Sequence, residues 1–368
     1  MLKKIQIQGY KSIQEMDLEL GKVNVLIGAN GSGKSNFICF FKLLRWMIQD
    51  LGQLQFFIGK SGGANSILFN GAAITPQIKA ELNFETEKGE NDYFFRLFHA
   101  DSDNLIFAEE KYRFSNKEYP SQADWTSLDA GHKEAKLINV ATLSDNKTAQ
   151  IIFKLIRNCA VYQFHNTSET ANIRQRWSIE ENRYLREDGG NLAPFLLRLK
   201  ENEPIHYQRI VETISQIAPF FINFVLEPVS NFVILQWRER QINLVFSSHQ
   251  ASDGTLRTMA LVTLLLQPQN NLPDVLILDE PELGLHPYAI NIIGGLIKSV
   301  SEHCQVIIAT QSPQLIDCFE PEDIIVVERK NSRSDFKRLN SSVLEGWLEE
   351  YSLSELWNKN VIGGRPSK

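Results

Sequence analysis

Polar and apolar residues alternate over positions 3–8, and this period of two predicts a strand at the start of the chain. Positions 16–20 repeat the alternation and predict a second strand. Positions 23–27 form an apolar run broken only by Asn24, as in a strand covered on both faces. A glycine-rich loop follows at 28–33. Positions 36–48 then carry Phe37, Phe40, Phe41, Leu44, Met47 and Ile48 at helical spacing. From Gly59 the texture changes. Gly62, Gly63, Gly71 and Pro76 punctuate short alternating runs at 66–69, 77–84, 93–98 and 105–114, which predict an antiparallel meander. Positions 115–147 are polar and poorly patterned, and read as a long surface connection.

Helices are predicted at 148–158, 191–200 and 205–217, and strands at 161–164, 221–226, 232–238 and 241–246. In the last third the pattern alternates: helix 255–266, strand 275–278, helix 287–300, strand 305–309 and strand 324–327. Such alternation predicts a parallel sheet with covered faces. No sustained heptad appears, which excludes a long coiled-coil arm. The predicted division is an N-terminal core part at 1–60, an inserted β-rich and helical lobe at 61–250, a second core part at 251–335 and a helical tail at 336–368. Within the tail, Trp347, Tyr351, Leu353, Leu356 and Trp357 are expected to dock, and residues 363–366 to form a loose end.

Composition narrows the function without naming it. The 368 residues are 43% hydrophobic with a net charge of −6. That is ordinary globular composition, and it excludes a protein that coats nucleic acid through overall basicity. Cys39, Cys159, Cys304 and Cys318 lack the spacing of a zinc or redox site and read as reduced thiols. No apolar stretch is long enough for a membrane span or a signal segment, so a cytoplasmic protein with no membrane partner is expected.

Two motifs carry chemistry. Gly28-Ala29-Asn30-Gly31-Ser32-Gly33-Lys34-Ser35 fits the G-x-x-x-x-G-K-[ST] phosphate loop in full. Its glycines let backbone N–H groups turn inward around phosphates, and the loop opens a helix whose N-terminus favours an anion. Lys34 is expected to reach the β- and γ-phosphates of ATP, and the Ser35 hydroxyl to ligate Mg2+. The second motif is the apolar run 275–278 ending in Asp279-Glu280-Pro281. Successive strand residues face opposite ways, so Asp279 is assigned to Mg2+ and Glu280 to the attacking water.

With these motifs the chain resembles the ABC-type ATPases of the RecF, SMC and OLD-nuclease kind. More narrowly, it looks like the small stand-alone predicted AAA-family ATPases of bacterial defence and repair operons. Residues 4–13 resemble the first strand of those proteins, with Lys11 and Ser12 in the turn near the nucleotide. Asn30 and Asn36 match their form of the loop, together with Gly31, Ser32 and Gly33. Ala251-Ser252-Asp253-Gly254-Thr255-Leu256-Arg257 resembles the signature motif. The resemblance implies that Ser252, Asp253 and Gly254 contact the γ-phosphate held by a second copy, so that two chains sandwich two ATPs. Ser252 also reads as a plain helix N-cap. Residues 279–287 resemble the acidic strand and the loop after it.

Three departures stand out. The signature reads Ser-Asp-Gly-Thr, the stretch 36–251 is longer than a transporter ATPase needs, and Gln311 occupies the switch position where many relatives carry His. Glutamine cannot take up a proton, so weak basal hydrolysis is expected. Gln163 is the candidate for the glutamine that joins the metal site. His286 reads either as a loop cap or as a neighbour of the partner's nucleotide. Arg174, Arg176, Arg183 and Arg186 among Trp177 and Tyr184 read either as a nucleic-acid surface or as a mixed solvated face.

The fold expected is therefore α/β: a P-loop NTPase of the ABC head type, with a mixed core sheet, a helical and β-rich second lobe and no coiled-coil arm. The function expected is an ATP-driven homodimeric switch in DNA repair or anti-phage defence, acting with DNA and a separate nuclease or effector. A transporter ATPase subunit and a P-loop small-molecule kinase are the alternatives.

Overall fold

The computed structural model describes residues 1–50, 52–118 and 123–365. The chain divides into two compact units, Met1–Ala160 with Pro321–Lys368, and Val161–Glu320.

In the first unit an antiparallel sheet runs in the order Ile13–Glu19, Leu2–Tyr10, Gln77–Thr86, Gly89–Ala100, Asn104–Asn116 and Thr126–Ser127. Alternation decides which face is covered. Along Gln77–Thr86, Ile78, Ala80, Leu82 and Phe84 are buried, and the polar residues between them are half-exposed. The register sets Leu82 opposite Tyr93 and Ala80 opposite Phe95, so the buried side chains meet across strands. Helix Lys34–Gln49 buries Phe37, Phe40, Phe41, Leu44 and Met47. The Phe40 ring stacks on Phe95 at 6.3 Å and meets Tyr10 edge-on at 5.3 Å. Truncating such a fully buried ring costs about 3–5 kcal/mol, so this helix, and the loop that opens it, are firmly seated.

Val23–Ile27, all buried, pairs in parallel with Ile324–Lys330, which pairs antiparallel with Arg333–Arg338. The pairing is mixed, as expected. Asn24 is tolerated inside this strand because its amide exchanges two 2.9 Å hydrogen bonds with the backbone of Gly21.

In the second unit Val275–Asp279 and Gln305–Thr310 are buried parallel neighbours, joined through helix Pro287–Ser301. Helices Leu192–Asn202, Pro204–Ile217 and Asp253–Leu266 and a three-stranded sheet of Phe221–Phe224, Gln236–Glu239 and Val245–Ser247 complete it. The longest described helix has 16 residues, and no coiled-coil arm occurs among the described residues. No described helix is long and apolar enough to cross a membrane.

Four local expectations fail. Positions 66–69 are not a strand: helix Ala64–Ile67 forms instead, with Asn65 N donating to Asp103 Oδ1 at 2.9 Å. The polar connection contains helix Leu137–Leu143, because the buried Glu110 carboxylate accepts from Lys136 N at 2.9 Å and Leu137 N at 3.1 Å. The strands expected at 232–238 and 241–246 are cut to Phe232–Val233, Gln236–Glu239 and Val245–Ser247. The loose end is also wrong for Gly363 and Gly364, since Gly364 N donates to Glu328 Oε1 at 3.0 Å. Pro366 lies outside the described residues. Leu353 and Leu356 of helix Leu353–Asn358 are buried, whereas Trp347 is exposed.

Candidate functional site

The phosphate loop links strand Val23–Ile27 to helix Lys34–Gln49. Two glycines are required by close approach. A Cβ at Gly28 would lie 2.2 Å from Val327 O, and one at Gly33 would lie 2.0 Å from Ser334 Oγ, with φ at +119°. Gly33 precedes the helix and offers its first amides no side-chain cap. Lys34 is buried and folds back over the loop, donating to Gly28 O at 2.6 Å and Ala29 O at 3.1 Å. Ser32 Oγ is buried with no hydrogen-bond partner among the described residues. Asn30 and Ser35 are exposed.

Beneath the loop the structure gathers Ser12, Ser32 and Asn36. Asn36 Nδ2 donates to Ser12 Oγ at 2.7 Å, Ser334 Oγ lies 2.7 Å from Ser12 Oγ, and Ser334 Oγ donates to Ser32 O at 2.6 Å. Each hydroxyl has one proton, so a single direction, from Asn36 through Ser12 and Ser334 to Ser32 O, satisfies every group. Lys11 occupies the hairpin turn with φ of +49°, and its N–H donates to Ile67 O at 2.7 Å. Three further residues at the loop were not anticipated. Ser334 is one. Arg329 Nη1 donates to Gly31 O at 3.2 Å, and Gly364 O accepts from Ala29 N at 2.9 Å. All three come from strand pairing and tail docking some 300 residues away in sequence, where no local motif marks them.

The acidic strand end lies in the second unit. Strand Val275–Asp279 stops at Asp279, and Glu280 leaves it with φ of +44°, its N–H donating to Ala309 O at 2.8 Å. This left-handed step, rather than strand alternation, separates the two carboxylates. Asp279 Oδ2 accepts from Gln163 Nε2 at 2.6 Å, and His165 Nε2 is 2.8 Å from Asp279 O. Gln163 follows strand Cys159–Tyr162 rather than lying inside it. Glu280 Oε1 accepts from Gln311 Nε2 at 2.5 Å.

A family model described as "AAA domain, putative AbiEii toxin, Type IV TA system" matches residues 23–317. The chain belongs to that AAA family. It is also similar to the OLD nuclease of Thermus scotoductus, 22% identical over 99% of this chain and 68% of that protein. Among solved structures it is similar to an SMC head bound to the C-terminal winged-helix domain of ScpA, with a TM-score of 0.63 at 16% identity over 95% of this chain and 99% of that one. It is similar as well to the Pyrococcus furiosus SMC head with an extended coiled coil bound to the C-terminal domain of ScpA, with a TM-score of 0.59 at 14% identity over 95% and 98% of the two chains. The fold of this AAA-family chain is therefore that of the ABC-type, SMC-like ATPase heads.

The segment expected to be the signature motif opens helix Asp253–Leu266 of this AAA-family chain, and Ser252 Oγ caps it by accepting from Thr255 N at 3.1 Å. A Cβ at Gly254 would lie 2.5 Å from Gly284 O, so glycine is needed where the loop after the acidic strand meets the helix. Asp253 Oδ1 accepts from Arg174 Nη2 at 3.1 Å. Arg174 is buried and also donates to the carbonyls of Thr167, Ser248 and Ala251, so it is no part of a basic surface. Arg257 donates to the carbonyls of Phe164, His165 and Leu283 at 3.0–3.1 Å, tying helix Asp253–Leu266 to the segments after Gln163 and Glu280. His286 Nδ1 accepts from Tyr288 N at 3.2 Å, the capping geometry.

Proposed function

We propose that this chain binds Mg-ATP on the phosphate loop, hydrolyses it, and closes as a homodimer around two nucleotides to act as a switch in a DNA-linked repair or defence system. The observation that carries the reading is the placement of Lys34. Its ammonium rests on loop carbonyls, 2.6 Å from Gly28 O, at the head of a helix with no side-chain cap. An anion with several oxygens is the natural ligand for that arrangement.

Magnesium takes oxygen donors, and the Ser35 hydroxyl and the Asp279 carboxylate are each of that kind. The Ser35 hydroxyl and the Asp279 carboxylate would hold Mg2+, with Gln163 beside it: a glutamine that donates through Nε2 presents Oε1 as its acceptor. When bound, the ion supplies charge against the phosphate oxygens. Glu280 serves as base for the attacking water, and Gln311 orients that water and the carboxylate. An amide cannot relay a proton, so slow basal turnover is expected.

Ser252, Asp253 and Gly254 are assigned to the nucleotide of the second copy. DNA and a nuclease or effector partner are suggested by the name of the Thermus relative and by the family description. The test is the molar mass in solution of Glu280→Gln with and without Mg-ATP. An ATP-dependent dimer, lost on adding Ser252→Arg, supports the switch. A monomer in both states sinks it. Salt-sensitive DNA binding by the ATP-loaded protein, alone and with a neighbouring effector, tests the DNA link.

A further inference from the structure

We propose that Glu282 is a positioning residue of the hydrolytic site, gripping Thr310 and the main chain of Gln311 so that the Gln311 amide is held on Glu280. This inference rests on the ATPase reading above. Glu282 Oε1 accepts from Thr310 Oγ1 at 2.6 Å and from Gln311 N at 3.1 Å. Ser312 N in turn donates to Thr310 Oγ1 at 3.0 Å. One carboxyl oxygen thereby organises three consecutive residues of the switch. Gln311 is clamped at both ends between two carboxyls: Glu282 takes its main-chain N–H, and Glu280 takes its side-chain amide at 2.5 Å.

Two further facts separate this from ordinary loop packing. Glu282 Oε2 is buried with no hydrogen-bond partner among the described residues. Burial pushes the Glu282 carboxyl above its ordinary range and the charge of Glu280 adds to that, against the bonds from Thr310 and Gln311. A carboxyl inserted there carries a desolvation penalty that a simple turn residue would avoid. The backbone of the turn already closes through Leu283 N to Glu280 O at 3.1 Å and Leu285 N to Glu282 O at 3.0 Å, without the Glu282 side chain.

The experiment measures steady-state ATP hydrolysis and ATP KM for the full chain and four variants: Glu282→Ala, Glu282→Gln, Gln311→Ala and the Glu282→Ala/Gln311→Ala pair. Loss of the grip in Glu282→Ala should lower kcat about 10- to 100-fold while KM moves less than about threefold, because orientation is lost and binding is not. Glu282→Gln keeps an acceptor oxygen and should stay within about threefold of wild type. If Glu282 acts through Gln311, the double variant is no slower than Gln311→Ala alone. Wild-type kcat in Glu282→Ala, equal loss in both Glu282 variants, or multiplying losses in the double variant would each overturn the proposal. Should Glu282→Ala fail to fold, Thr310→Val removes the other half of the grip and must lower kcat at unchanged KM, or the proposal falls. A wild-type protein that does not hydrolyse ATP overturns the ATPase reading and this inference with it; hydrolysis with the wrong variant pattern overturns the inference alone.

Discussion

Gln311 Nε2 donates to Glu280 Oε1 at 2.5 Å, so the glutamine after strand Gln305–Thr310 and the acidic residue after strand Val275–Asp279 are in direct contact. On the proposed reading Glu280 is the base of the pair, since an amide can orient the carboxylate but cannot accept its proton. Glu280→Gln should abolish hydrolysis and keep ATP binding. Gln311→Ala should reduce kcat by roughly 10- to 1000-fold, in the range seen when one oriented group is removed. Single-turnover hydrolysis alongside equilibrium ATP binding checks both, and parallel loss of binding would contradict the assignment.

Gly33→Ala should destabilise the protein even without nucleotide. Its backbone is left-handed, and the added methyl meets Ser334 Oγ at 2.0 Å and Ser334 Cβ at 2.7 Å. The expected loss is about 1–3 kcal/mol from strain and overpacking. Ser334→Gly removes both atoms, so the double variant should recover part of the loss in thermal unfolding. Full additivity would mean the clash is relieved by backbone movement.

Glu282 gives the stability a defined pH dependence. Its carboxyl sits above the usual glutamate range because it is buried, so the folded state holds the proton more tightly than the unfolded chain. Stability contributed by the protonated form is present below the unfolded value, about 4.3, and is lost as pH rises through the folded one. Glu282→Gln cannot ionise and escapes that loss. Its stability relative to wild type should therefore increase from pH ~5 to pH ~8. Melting curves across that range check the sign, and a difference that is flat or falls with pH would refute it.

Arg257→Lys should not be conservative. The guanidinium serves three carbonyls on two segments, and an ammonium cannot match that fork. The half-buried carbonyls of Phe164 and His165, left without a donor, cost at most about 1–3 kcal/mol each, and the exposed Leu283 carbonyl less. The expected result is a lower melting temperature together with weaker ATP-dependent dimerisation. An unchanged protein would show that backbone packing alone holds these segments.

What the sequence makes legible is what lies close together in it. The loop from Gly28 to Asn36 and the pair Asp279 and Glu280 carry their chemistry in consecutive residues, and each is read from residue type and order. Ser334 and Arg329 reach the loop only through strand pairing, and Glu282 reaches Thr310 only because the chain turns back after Pro281. Arg174 misleads for the opposite reason. Its neighbours in sequence are polar and aromatic, whereas its neighbours in space are buried carbonyls awaiting a donor. Helix Leu137–Leu143 was illegible because Glu110 stabilises its start from another element.

Gly363 and Gly364 both have φ near +80°, and through Gly364 O the tail is fastened to Ala29 of the phosphate loop. An affinity tag or fluorophore attached behind this tail would therefore hang from a handle bolted to the nucleotide loop. One attached ahead of Met1 would hang from Glu85, near the end of the interior strand Gln77–Thr86, instead. Labels at the two places are therefore not interchangeable: only the rear one is tethered through a residue that hydrogen-bonds the loop.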